Sequence, residues 1–156
     1  MKIDYTPLLR NSWTNQEKRN VELVGSFVQT LMNDHNFELV LQEFGNPLYK
    51  QHNRSIPDGI PNLIQYVKGL TKQFPEYAYD VKRITADEDY VTFHSHITMK
   101  NKDRGNERKG FNAIDTWRIE DGQIAEHWDA LQPLDPFLRF YFWIIGGKIS
   151  NANGVF

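Results

Sequence analysis

The stretch Gly110 to Gln132, GFNAIDTWRIEDGQIAEHWDALQ, constrains this chain more than any other. Hydrophobicity alternates with a period near two on both sides of Glu120-Asp121-Gly122, a short polar segment whose glycine supplies the positive φ of a hairpin turn. Two strands therefore pair antiparallel. In the first, Phe111, Ala113, Asp115, Trp117 and Ile119 share one face, because side chains alternate along a strand. Asn112, Ile114, Thr116 and Arg118 take the other face, which suits solvent or a subunit contact. One carboxylate, Asp115, thus falls among large apolar side chains, where it is costly unless it has a partner or holds a proton.

The same period extends back through Tyr77 to Thr85 and Tyr90 to Lys100, joined by a polar hairpin at Ala86-Asp87-Glu88-Asp89. A longer charged loop, Asn101 to Arg108, leads to the strand that begins at Lys109. Upstream the period is helical. Asn15 to Asn33 carries Val21, Val24, Phe27, Val28 and Leu31 on one stripe, with Thr14 as N-cap and Glu17 completing a capping box. Phe37 to Phe44 forms a second short helix, stopped by Gly45-Asn46-Pro47. Tyr49 to Asn53 is short and extended, and Pro57-Asp58-Gly59 turns the chain. Pro61 to Phe74 is a third helix with Leu63, Ile64, Tyr66, Val67 and Leu70 as its apolar stripe. Helices gathered before a run of antiparallel strands predict an α+β fold, with the helices on one face of a curved sheet.

With 156 residues, no repeat and no linker, the chain is expected to form a single domain over 1–156. The segment 134–156 reads as a C-terminal extension of that domain. Its run FLRFYFWII, Phe137 to Ile145, ends at Gly146-Gly147 and has three readings: a cover for an edge of the domain, a dimer contact or pocket lid, or a membrane-surface anchor. The third lacks the basic polar face such anchors carry. The net charge of -2 argues against nucleic-acid binding. The absence of cysteine removes disulfides, thiolate nucleophiles and thiolate-bound zinc. No apolar run reaches signal-peptide or membrane-spanning length, so the cytoplasm is the expected location.

Several stretches carry a family likeness: YKQHN (Tyr49 to Asn53) before PDG (Pro57 to Gly59), DYVTFHSH (Asp89 to His96), AIDTWRIEDGQIAEHWDALQP (Ala113 to Pro133) and the tail NANGVF (Asn151 to Phe156). In these the chain resembles the SnoaL-like polyketide-cyclase branch of the nuclear-transport-factor-2-like superfamily. The resemblance covers Glu17 to Pro133 plus the tail. It implies a cone of about three helices in the concave face of a strongly bent, mainly antiparallel sheet, around a deep pocket, with a homodimer through the convex face. Its members include aldol cyclases, ketosteroid isomerases, dehydratases, epoxide hydrolases and proteins that only bind, so the fold implies a pocket rather than a reaction.

Asp115 heads the candidates for chemistry. A desolvated aspartate has a raised pKa and can hold or accept a proton near neutral pH, and the position matches the acid/base aspartate of the cyclases the chain resembles. The alternative is an ordinary ion pair with Arg118 or Arg83. His94 and His96 lie on one face of their strand with Tyr90, Thr92 and Thr98. Val91, Phe93, Ile97 and Met99, opposite, are the natural core side, whereas the resemblance puts a histidine in the pocket here; both orientations stand. In the last strand His127 and Asp129 share a face with Ala125 and Leu131, while Glu126 and Trp128 share the other with Ile124 and Ala130. Either Trp128 supplies a flat apolar wall, or His127 with Asp129 forms an oriented imidazole. Tyr49, Gln51 and Asn53 share a face opposite His52 and are candidate hydrogen-bond donors to a substrate carbonyl or, equally, caps for helix ends. Phe111 and Trp117 complete the candidate lining. His94, His96 and His127 together would form a three-histidine zinc site, but H-x-H alone is a weak signal and no metal is expected.

The expected function is a cofactor-independent acid/base enzyme, with Asp115 and His94 or His127 moving a proton next to the carbonyl of a small apolar or aromatic compound in an aldol-type cyclisation or isomerisation. The alternatives are a non-catalytic ligand-binding or structural dimer, and an epoxide-hydrolase-like site. The last needs an arginine between two aspartates, and alternation turns Arg118 away from Asp115.

Overall fold

The capping box at Thr14 forms as the sequence predicts: the Thr14 hydroxyl accepts from Glu17 N at 3.2 Å and Glu17 Oε2 accepts from Thr14 N at 2.6 Å. Reciprocal capping of this kind is worth about 1 kcal/mol. It starts α1 (Asn15–Val28), which continues through one wider turn, Gln29–Asn33. These features come from a computed structural model that describes residues 1–145; the side chains of Phe142 and Ile145 are not among those described, and the Gly146-Gly147 stop and the tail 151–156 lie outside the described residues. Asn36 caps α2 (Phe37–Phe44) by accepting from Leu39 N, and Gly59, at φ 89°, leads into α3 (Ile60–Gln73).

Five strands follow or intervene: β1 (Lys50–Gln51), β2 (Ala78–Asp87), β3 (Tyr90–Thr98), β4 (Phe111–Glu120) and β5 (Gln123–Pro133). They form one sheet in the order β1-β5-β4-β3-β2; β1 runs parallel to β5 and every other pair is antiparallel. The β4–β5 turn has Asp121 at φ 51° and Gly122 at φ 73°, the double positive φ of a tight two-residue hairpin. Gly110, at φ 76°, opens β4 where an added Cβ would lie 1.9 Å from Ile97 O, so only glycine lets these two backbones meet.

The helices cover one face of the sheet. Val21, Val24, Phe27, Val28 and Leu31 from α1 and its last turn pack with Val91, Phe93 and Trp117 from the strands in one continuous core. Each such side chain contributes about 1.5–3 kcal/mol by leaving water. On β4 the expected alternation is observed: Phe111, Ala113, Asp115, Trp117 and Ile119 are buried and the residues between them are not.

On β5 the alternation fails at one point. Ile119 pairs with Ile124, yet Arg118 pairs with Glu126, so Ala125 is an extra residue, a β-bulge. The bulge puts Ile124 and His127 on the same, helix-covered side, and both are buried. Strict alternation had grouped Ile124 with Trp128. A bulge that follows a tight turn leaves no mark in hydrophobic periodicity.

Beyond β5, Asp135 accepts from Leu138 N and starts α4 (Pro136–Ile145). Leu138 packs against the core, but Phe137, Phe140, Tyr141, Trp143 and Ile144 are exposed. The helix therefore covers little of the domain. No helix among the described residues is long and apolar enough to cross a membrane.

Candidate active site

Asp115 is 2% exposed and lies on the helix-covered side of the sheet. Its partner is neither arginine. Oδ1 is 3.2 Å from His127 Nε2, while Arg118 bonds Glu126 and Glu120 on the outer face and Arg83 bonds His94. The other oxygen, Oδ2, is buried and has no hydrogen-bond partner of good geometry among the described residues. Burial pushes the Asp115 carboxyl above its ordinary value, against smaller lowering effects from His127 and, last, the Tyr79 hydroxyl; the charge of Asp129 adds to the rise.

His127 is held on both sides. Its Nδ1 is 2.9 Å from Gln51 Oε1, and its ring stacks on Trp117 with centroids 5.1 Å apart. Gln51 is itself fixed: Oε1 accepts from Asn53 N at 3.0 Å and Nε2 donates to the Tyr49 hydroxyl at 3.2 Å. Because the Asn53 backbone N–H can only donate, the amide oxygen of Gln51 must be the atom on that side. His127 Nδ1 therefore carries a proton and donates to it. That leaves Nε2 as the nitrogen facing Asp115, so a single proton suffices for the Asp115–His127 contact. A separation of 3.2 Å is longer than the roughly 2.7–2.9 Å of a charge-assisted bond. Together with the raised carboxyl pKa, this favours a protonated Asp115 donating to a neutral imidazole.

Asp115, His127, Asp129 and Asn53 form the polar end of a cavity of about 110 Å³. The cross-strand neighbour of Asp115 is Asp129, whose two oxygens accept from Asn53 Nδ2 at 2.9 and 2.7 Å. The rest of the wall is apolar and aromatic: Ile56, Leu63, Val67 and Leu70 from the α3 side, Tyr77, Tyr79, Ile97 and Phe111 from the strands, with Tyr66, Met32, Met99 and Leu131 completing it. Tyr66 and Leu131 are partly exposed and so mark its opening. Burial raises the pKa of Tyr66, Tyr77 and Tyr79, so all three keep their phenolic protons and remain donors.

Of the residues singled out in the sequence, Asp115, His127, Asn53 and Phe111 meet at this cavity. Tyr49 and Gln51 are fully buried but do not line it; they stand behind His127, so the expectation that they bond a substrate carbonyl is corrected. Trp117 likewise backs His127. Trp128 lies on the outer face, stacked on His52 at 4.3 Å, and is no wall of the cavity. His94 also faces outward, between Arg83 Nη1 at 3.1 Å and Asn112 Oδ1 at 2.6 Å. His96 shares that face and bonds Lys109 O at 2.8 Å. The apolar side of β3 is the core side, so neither histidine reaches Asp115, and the two cannot join His127 around a metal. Tyr77 and Tyr79 were not expected at the cavity, although their i, i+2 spacing at the start of β2 was an available signal; Asp129 was expected to orient His127, but it bonds Asn53 and the imidazole bonds Asp115 instead.

A model of the SnoaL-like domain matches residues 24–127. Among solved structures, a candidate polyketide cyclase from Bacillus cereus ATCC 10987 is 21% identical, with 79% of this chain and 81% of that one covered and a TM-score of 0.63. A candidate SnoaL-like polyketide cyclase from Jannaschia sp. CCS1 is 18% identical over 89% of this chain and 100% of that one, with a TM-score of 0.62. Bal32a, from a soil-derived mobile gene cassette, is 14% identical over 83% of this chain and 99% of that one, with a TM-score of 0.65. These identities establish the nuclear-transport-factor-2-like α+β fold and leave the reaction open. A search of curated proteins found no match.

Proposed function

The chain belongs to the SnoaL-like domain family, and on that footing we propose that its cavity catalyses cofactor-independent proton transfer next to the carbonyl of a small apolar compound, as in an aldol-type cyclisation or an isomerisation. The observation that carries this reading is the buried Asp115–His127 pair, whose Oδ2 has no hydrogen-bond partner of good geometry among the described residues, at the polar end of a largely apolar cavity.

In this reading Oδ2 takes the proton from the carbon next to the carbonyl. The proton on Oδ1 passes at the same time to His127 Nε2. The products are an enolate, a neutral Asp115 and an imidazolium that remains bonded to Gln51 through Nδ1. The phenols of Tyr66, Tyr77 and Tyr79, kept protonated by burial, line the cavity, and in this reading one of them turns to donate to the enolate oxygen. Return of the proton to another carbon is isomerisation; attack of the enolate carbon on a second carbonyl closes a ring. General acid–base catalysis of this type contributes roughly 10²–10⁴-fold.

The test is hydrogen–deuterium exchange at the α-carbon of small ketones in D2O, followed by NMR. Exchange well above the uncatalysed rate is expected. A panel of ketones that bind but exchange no faster than in buffer would leave the cavity a binding site only. The reading also pairs two copies through the outer sheet face, where Ile114 and Tyr90 are exposed.

A further inference from the structure

The wall of the cavity discriminates by size and by charge, and we propose that its ligand is an uncharged compound of one ring, or a short chain of equivalent volume, with one polar end. This deepens, and rests on, the proton-transfer reading of the same site. The size limit comes from the 110 Å³ enclosed between α3 and the sheet. A dry engineered cavity of about 150 Å³ takes benzene, so 110 Å³ that opens past Tyr66 and Leu131 is space for one ring at most, whereas pockets for drug-sized ligands run to about 300–1,000 Å³. Two or three fused rings therefore exceed this cavity unless its walls part. The walls that would have to move include Leu63 and Val67, 3% and 1% exposed, and Ile97, 1% exposed, all seated in the core.

The charge limit comes from the polar end. Two carboxyl groups, Asp115 and Asp129, lie cross-strand from one another there, and no lysine or arginine is among the described lining residues. His127 is the one basic group among the described lining residues, and both of its nitrogens are engaged, by Gln51 and Asp115. A ligand carboxylate or phosphate would meet these acids in a poorly solvated space with no cation to balance it. An uncharged carbonyl or hydroxyl can accept from the phenols of Tyr66, Tyr77 and Tyr79, and a hydroxyl can also donate to the carboxyl groups of Asp115 and Asp129.

The experiment is NMR titration of the full chain at pH 7, reading the Trp117 indole and His127 ring signals, with four probes. Cyclohexanone and para-cresol represent the expected class, benzoate tests charge, and 2-naphthol tests size. Cyclohexanone and para-cresol should bind, with benzoate and 2-naphthol each at least about tenfold weaker, a gap of about 1.4 kcal/mol. A Leu70→Ala variant, which enlarges the cavity at a part-buried position, should improve 2-naphthol binding about tenfold relative to para-cresol, a gain that misfolding would not produce. Benzoate or 2-naphthol binding as tightly as para-cresol to the unaltered protein would overturn the proposal, as would an enlarged variant that gains nothing for the larger ring. The outcome is separable from the catalytic reading. Correct ligand selection without α-proton exchange removes only the catalysis, and exchange on multi-ring ketones removes only the size limit.

Discussion

Replacing Asp115 with asparagine should separate stability from catalysis. The amide is nearly isosteric with a protonated carboxyl, and its Nδ2–H can donate to His127 Nε2 as the acid does. A retained neutral hydrogen bond is worth about 0.5–1.5 kcal/mol, and the second amide hydrogen, left without a partner, costs a similar amount. Unfolding of Asp115→Asn by urea at about pH 3, where the carboxyl is protonated in both states of the parent, should therefore stay within about 1 kcal/mol of the parent. The pH dependence should differ. The folded-state pKa of Asp115 is raised, so the proton is held more tightly in the folded protein. Its contribution to stability is complete below the ordinary value of 3.8 and drains away as pH rises through the folded value. The asparagine variant should lack that decline and so be the more stable of the two at pH 7. Exchange of ketone α-protons should nevertheless fall about 10²–10⁴-fold, because the amide cannot pass its proton on. If Asp115 is instead the anionic half of an ion pair with His127, the same substitution strands a buried cation and costs about 3–5 kcal/mol. A loss of that size, or retained exchange, would refute the reasoning.

Gln51→Leu removes the acceptor that sets the His127 tautomer, together with the bonds Gln51 makes to the Asn53 N–H and the Tyr49 hydroxyl; it should cost about 1–3 kcal/mol in urea unfolding and lower the exchange rate at saturating ketone more than it weakens ketone binding. His94→Ala and Trp128→Ala, on the outer face, should leave exchange within about twofold, as expected of sites away from the machinery; a large loss in either would return that residue to the site. Ile114→Arg places a charge on the exposed outer face and should convert a dimer to monomers in sedimentation; a parent protein that sediments as a monomer would remove the proposed pairing.

Much of the fold was legible because it rests on local chemistry. The Thr14–Glu17 capping box, the Asp121-Gly122 turn and the alternation along β4 each follow from a handful of neighbouring residues. Asp115 was legible for the same reason, as one carboxylate on an otherwise apolar strand face. The partner of Asp115 was not, since a single bulge at Ala125 decides whether His127 or Trp128 turns inward. Gln51 and Tyr49 were found as polar residues of one strand face, but their place behind the imidazole depends on β1 pairing in parallel with β5, a contact more than seventy residues apart. His94 illustrates the reverse: the apolar face of β3 pointed to the core correctly, and the resemblance drew attention to the wrong side.

The proposed chemistry turns on where one proton sits. A long-range proton–nitrogen NMR spectrum of His127 at pH 7 reads this directly. A neutral ring is expected, with the proton on Nδ1, bonded to Gln51, and a bare Nε2 accepting from Asp115. An imidazolium with both nitrogens protonated, or a ring protonated on Nε2 alone, would contradict it.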